Sequence, residues 1–295
     1  MTSAARAGLL GILPALLLIA ALIAYPVGYA VWLSFFDKHS FFPEQRWMLS
    51  TSLKPSREVL ATPPTLVPAA PTLDNFARLI ADTAFADYFR NSVVVSGLTV
   101  LLTTLVAAIG AYSLTRFRFP GRETVAKLVL ATYMFAPIMI VVPVYIMARR
   151  LGIVNTHTAL VLAYSSFCLP FALWLLRAFF LSIPRELEEA ALVDGAGRPR
   201  AIAYVVLPLA LPGIIATGIF TFTLAWNDYL FTRILIASDE LKTLPVGVQD
   251  LFSAAVVDWG LIMAAGVLIT IPALAFFMAV QRHLVAGWGG GGIKG

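Results

Sequence analysis

Long apolar runs decide what this chain can become. Positions 7–36, 91–114, 125–148, 158–181, 207–235 and 259–280 are dominated by aliphatic and aromatic residues. Each is near or above the roughly 20 residues a helix needs to cross about 30 Å of hydrocarbon. A chain of 295 residues with 60% hydrophobic and 13% charged side chains has too little polar surface to enclose such runs in a soluble core, and its mean hydropathy is +0.86. In hydrocarbon every backbone N–H and C=O must find a partner within the protein, and a helix satisfies its own. The predicted fold class is therefore all-α: a polytopic membrane protein with six transmembrane helices in a single domain, 1–295.

The runs differ in detail. The first follows Arg6 and is about twice the length of a signal peptide's apolar region, so an uncleaved span kinked at Pro14 and Pro26 is expected. Gly28-Tyr29-Ala30 supports the competing reading, a cleavage site. Positions 37–89 form the sizeable polar stretch, with Pro63, Pro64, Pro68 and Pro71. Proline biases its neighbour toward extended backbone, which predicts an external loop with one short helix over Asp74–Ala81. As a single helix, 207–235 would measure about 43 Å, so it must tilt, kink at Pro212 or protrude. Six spans place both termini on one side. Lys and Arg divide almost evenly between the two sides. The compact groups Arg116, Arg118, Arg122, Lys127 and Arg177, Arg185, Arg198, Arg200 lie in short loops, where positive charge orients a span most strongly, and they put both termini in the cytoplasm. Lys127 and Arg177 are close enough to span ends to snorkel.

Composition also excludes functions. The net charge of +5 is scattered between apolar runs, so anionic headgroups are a better partner than nucleic acid. One cysteine, Cys168, rules out an internal disulfide framework, and His39, His157 and His283 are far apart in sequence, so no metal site is expected. The phosphate-cradling G-x-x-x-x-G-K-[ST] loop is absent and no nucleophile stands beside a plausible base. No catalytic residue and no cofactor is assigned to the chain, which is not predicted to be an enzyme.

Acids, glycines and arginines gather between two apolar runs, in the loop 182–206. Pro184 suits a first helical turn, and Glu186, Glu188 and Glu189 put negative charge where the helix dipole favours it. Leu187, Ala190 and Ala191 fall at i, i+3 and i+4, a narrow stripe that another surface can approach closely. Asp194-Gly195-Ala196-Gly197 supplies the break. The plain reading is a solvated loop, and the sharper one is a short exposed docking helix.

The spacing favours the sharper one. Glu189-Ala190-Ala191, then Gly195, Val205 and Leu207-Pro208, resembles the EAA loop of permease subunits in bacterial ATP-binding cassette importers; Val205 stands where that pattern usually has Ile. Ser52-Leu53-Lys54-Pro55, Pro71 to Phe76, Asn91-Ser92, Ala111-Tyr112 with Arg116-Phe117, Phe119-Pro120-Gly121-Arg122, Trp226-Asn227-Asp228 and Ile293-Lys294-Gly295 look like the carbohydrate-uptake permeases of the maltose-transporter type, in their order. The segment 36–48 is longer than usual there and Trp288 to Gly292 is richer in glycine. The resemblance implies a multi-pass protein of the bacterial cytoplasmic (inner) membrane. It implies a second homologous permease, two ATPase subunits that bind ATP and Mg, an extracytoplasmic solute-binding protein and a carbohydrate substrate. It assigns coupling to the ATPase to Glu188, Glu189, Ala190, Ala191, Asp194, Gly195, Leu207 and Pro208.

Trp226-Asn227-Asp228 admits two readings. Counted from Pro208, Asp228 lies about 30 Å along the run, near the edge of the hydrocarbon, where a carboxylate costs less than at the centre. The triplet is either an interfacial anchor, with Asn and Asp facing water or loop backbone, or part of a sugar path in which an aromatic face stacks on a pyranose. Arg233 is placed to pair with Asp228. Pro137, Pro143, Pro170, Pro212 and Pro272 are either hinges or static kinks. The competing function classes are an ion-coupled secondary transporter without an ATPase, which usually shows central carboxylates and internal repeats, and a membrane scaffold without transport.

Overall fold

A computed structural model describes residues 43–59, 65, 67–253 and 257–289. The expected first span, 7–36, and the terminal Ile293-Lys294-Gly295 lie outside the described residues. Within them the regular structure is helical: α1 (Pro43–Ser52), α2 (Ser56–Val59), α3 (Asp74–Ala81), α4 (Phe85–Arg116), α5 (Arg122–Thr132), α6 (Pro137–Arg150), α7 (His157–Ser182), α8 (Arg185–Val193), α9 (Arg198–Trp226), α10 (Leu230–Leu235), α11 (Leu244–Phe252) and α12 (Trp259–Gly289).

Three of these, α4, α7 and α9, are long and apolar enough to cross a membrane, and α5 with α6 make a fourth if the bent pair is one crossing. The expected last span, 259–280, falls within α12. In the polar stretch 37–89, α3 begins and ends where the sequence predicts it, while α1 and α2 are additions.

The run 125–148 is not one helix. Its halves meet at 97°, because Pro137 pushes Ala136 into extended backbone (φ −63°, ψ 141°) and ends the preceding helix. The run 207–235 is corrected at both ends. Helix α9 starts earlier, at Arg198, and stops at Trp226, so it is about as long as the predicted run, ~43 Å, but displaced toward the N-terminus, with a break at residues 227–229 before Leu230–Leu235. Pro143, Pro170 and Pro212 all sit inside helices that continue past them. A π turn occupies Ile202–Val206, where the Leu207 amide reaches back to the Ile202 carbonyl. It precedes Pro208, whose missing N–H and ring crowd the preceding turn, and such widened turns are a recognised response to a disturbed ladder. The expected loop 182–206 is thus mostly helix, broken at residues 183–184 and 194–197.

Helices α4, α7 and α9 form the centre of the bundle. At one end small residues Ala107, Ala111, Ala172 and Ala210 let the helices approach around Leu176, Phe180 and Val206. In the middle and toward the other end, Val95, Leu160, Tyr164, Ala225 and Phe231 continue the core. A third cluster joins α3, α9, α11 and α12 through Leu79, Phe85, Trp226, Leu244, Ala264 and Ala265. Gly247 is needed there because a Cβ would lie 2.1 Å from the Tyr88 ring. Outward-facing Leu101, Leu105, Ile109, Met134 and Met139 leave an apolar exterior, as expected of helices whose solvent is lipid or another membrane subunit.

Candidate docking site and cleft

The first site is built on α8. Of its acids, Glu186 and Glu189 are exposed, whereas Glu188 is 7% exposed and turned into the bundle. Its Oε2 lies 2.9 Å from Arg116 Nε at the last residue of α4, and its Oε1 accepts a hydrogen bond from the Tyr112 hydroxyl one turn earlier. The Arg116 guanidinium also donates to the Ile183 carbonyl at 3.2 Å, and Arg185 donates to the Thr115 carbonyl at 2.5 Å. Arg198 sits 5.4 Å from the centre of the Phe117 ring, which meets Tyr112 edge-on. A helix whose apolar face points outward is thereby fastened to the end of α4 by charge-assisted bonds, the strong kind.

Helix α8 ends in a Schellman motif: the Gly195 amide bonds the Leu192 carbonyl and the Ala196 amide bonds the Ala191 carbonyl. Gly195 has φ +86° with open space around it, so its requirement is conformational. The outward face presents Leu187, Ala190 and Val193, the last 87% exposed, flanked by Glu186 and Glu189. Ala191 is half-buried, so the exposed stripe runs through Val193 instead. Asp194 and Pro208 are exposed and Leu207 is half-buried.

The second site lies at the other end of the bundle. Trp226 is 2% exposed, stacked on Phe222 at 5.3 Å and edge-on to Phe89 at 5.9 Å. Its buried indole Nε1 has no hydrogen-bond partner among the described residues. Asn227 is exposed and donates to the Thr223 carbonyl at 2.8 Å. Asp228 Oδ2 accepts from the Tyr164 hydroxyl at 2.8 Å and from the Phe231 and Thr232 amides at 3.1 and 3.3 Å. It therefore caps the first turn of α10, satisfying amides that a helix start leaves unpaired. Thr232 links Tyr164 (2.8 Å) to Thr243 (3.0 Å), completing a chain of side chains across α7, α10 and the start of α11. Arg233 makes no ion pair with Asp228. Beside this chain opens a cleft of roughly 490 Å³ lined by Pro137, Tyr164, Phe167, Asn227, Asp228 and Tyr229 among others. It offers aromatic rings, an amide and a carboxylate, which suits a polar solute with apolar faces. Near it, Lys242 lies 2.5 Å from both Asp239 and Asp250, and these two carboxylates hold its ammonium above the ordinary lysine range.

Tyr112, Arg116, Tyr164 and Thr232 are the residues that reading the chain did not assign to either site. Their signal was a polar side chain inside an apolar run. No group of acids, histidines and cysteines fit to hold a metal occurs among the described residues.

Residues 103–289 match the family described as binding-protein-dependent transport system inner membrane component. The inner membrane ABC transporter permease protein YcjP of Escherichia coli (strain K12) is 38% identical over 250 residues, 84% of this chain and 89% of that protein. The trehalose/maltose transport system permease protein MalG of Thermococcus litoralis is 33% identical over 253 residues, 84% and 90% of the two chains. A solved bacterial ABC transporter involved in the import of the acidic polysaccharide alginate shares the fold, with TM-score 0.74 at 22% identity over 88% of this chain and 96% of that one. The chain belongs to the binding-protein-dependent transport system inner membrane components and stands among the permeases of ATP-binding cassette sugar importers.

Proposed function

We propose that this chain is a transmembrane permease subunit of an ATP-driven importer for a sugar or sugar-like solute. It forms half of the translocation path in the inner membrane with a second, homologous permease. Both termini and α8 face the cytoplasm, and six helices cross the bilayer, the first over 7–36. Two ATPase subunits bind ATP and Mg, and an extracytoplasmic binding protein delivers the solute to the opposite end, where the cleft beside Tyr164, Asn227 and Asp228 receives it.

One observation carries this reading: α8 is anchored from behind by Glu188 while its Leu187–Ala190–Val193 face stays open. A helix held on one side and bare on the other is built to be gripped. Nucleotide shifts the permease between inward- and outward-open states only if this face meets the ATPase differently in its two states. The family match makes the ion-coupled alternative the weaker one, and Asp228 is engaged in capping rather than free to carry a proton.

The test is extraction in mild detergent followed by co-purification, with Gly195→Ala and Glu189→Ala assayed in the same complex. The expected result is an ATPase subunit in stoichiometric amount, with sugar uptake lost in both variants and membrane insertion unchanged. Normal uptake in both variants would falsify the coupling assignment.

A further inference from the structure

Helix α4 is tied at both ends, and its two ties lie at the two sites described above. At one end Tyr112 and Arg116 hold Glu188, and the Thr115 carbonyl holds Arg185. At the other, the Asn91 side-chain amide donates to the Glu240 and Lys242 carbonyls at 2.7 and 3.0 Å, and the Ser92 hydroxyl accepts from the Leu244 amide at 2.8 Å. Residue 243, between these contacts, is the threonine that continues through Thr232 and Tyr164 to Asp228.

Helix α4 is also the stiff one. Prolines interrupt the ladders of α6, α7, α9 and α12 at Pro143, Pro170, Pro212 and Pro272, whereas the 32 residues of α4 contain none. At 1.5 Å per residue it spans about 48 Å, the full depth of a bilayer with its headgroups. The obvious rival route is α9, which follows the docking helix directly in sequence. But α9 starts after the glycine-rich turn at 194–197 and carries the π turn at 202–206 and Pro208 and Pro212 within its first half. A path with those breaks yields under load.

We propose that α4 is the transmission rod of this subunit. Arg116 and Glu188 act as positioning residues that lock the docking helix to the rod, and Asn91 delivers its displacement to the segment 240–244, which Thr243, Thr232 and Tyr164 connect to Asp228 in the cleft wall. The proposal rests on the permease reading above. It gives the buried ion pair a task beyond holding α8 in place: movement at α8 becomes movement at the far loop without first bending α9.

The test uses the complete complex in lipid nanodiscs, with both permeases, the ATPase subunits and the binding protein. Cys168→Ser removes the native thiol, and spin labels go on Glu240→Cys and Leu162→Cys, both exposed sites. Distances are compared without nucleotide and after trapping with ATP and vanadate. The expected result is a shift in the otherwise native complex, its loss in Arg116→Gln and in Asn91→Ala, and its return in the charge-exchanged pair Arg116→Glu with Glu188→Arg. A purely structural role for the pair would lower the yield of complex and leave the shift intact in what assembles, and that result overturns the proposal. So does the absence of any shift in the complex that retains native Arg116, Glu188 and Asn91 with its ATPase bound. Failure of the ATPase to assemble with that complex would instead remove the permease reading itself.

Discussion

The two ends of the α4–α7–α9 bundle bury polar groups by different means. At the α8 end, charged side chains from separate segments neutralise one another: Glu188 against Arg116, with Tyr112 and Arg185 completing the bonds. At the cleft end a single carboxylate, Asp228, is satisfied by two backbone amides and a hydroxyl. The first arrangement holds together pieces distant in sequence, and the second caps a helix that starts two residues on. A full charge left buried without its partner is more costly than two backbone amides and a hydroxyl left unpaired. The α8 end should therefore be brittle to substitution and the cleft end tolerant.

That contrast can be broken by mutation. Glu188→Ala strands the Arg116 guanidinium at 8% exposure and should cost about 4 kcal/mol, read as the largest fall in melting temperature of the purified complex. Asp228→Ala should cost about 2 kcal/mol by uncapping α10, and Asp228→Asn, which keeps an acceptor oxygen, should recover about half of that. Equal losses for Glu188→Ala and Asp228→Ala would erase the distinction. Gly195→Ala introduces a Cβ at φ +86° and should cost about 1 kcal/mol while abolishing uptake. Glu189→Gln, on the exposed face, should leave the melting temperature unchanged and weaken ATPase retention on a detergent column. If it melts early, Glu189 belongs to the fold rather than to the gripped surface.

Much of the fold was legible. The apolar runs predicted α7 to within a residue at each end and α4 near its C-terminal end, because a helix in hydrocarbon must be long, apolar and internally bonded, while α4 starts six residues before its run. Helix α8 was legible too, from Pro184, its acids and the Gly195 stop. The break in 125–148 had a signal in Pro137, whose effect on Ala136 is local, yet the 97° turn depends on what α6 packs against. The end of α9 at Trp226 had a signal only in the polar pair Asn227-Asp228, because the apolar residues that resume at Leu230 read as a continuation of the same run. Asp228 stops the helix by capturing amides, and nothing in the run announces that its carboxylate turns toward backbone and Tyr164.

By itself the sequence determined the solvent, the helical class and the existence of a short polar helix between two apolar ones, because period, length and caps are properties of neighbouring residues. Only the tertiary structure decided which acid of that helix faces inward, and that Asn91 and Arg116, 25 positions apart on one helix, tie two separate sites. Those choices depend on groups brought from elsewhere in the chain: Glu188 is buried because Arg116 and Tyr112 are waiting for it, and a carboxylate leaves water only where its charge is met.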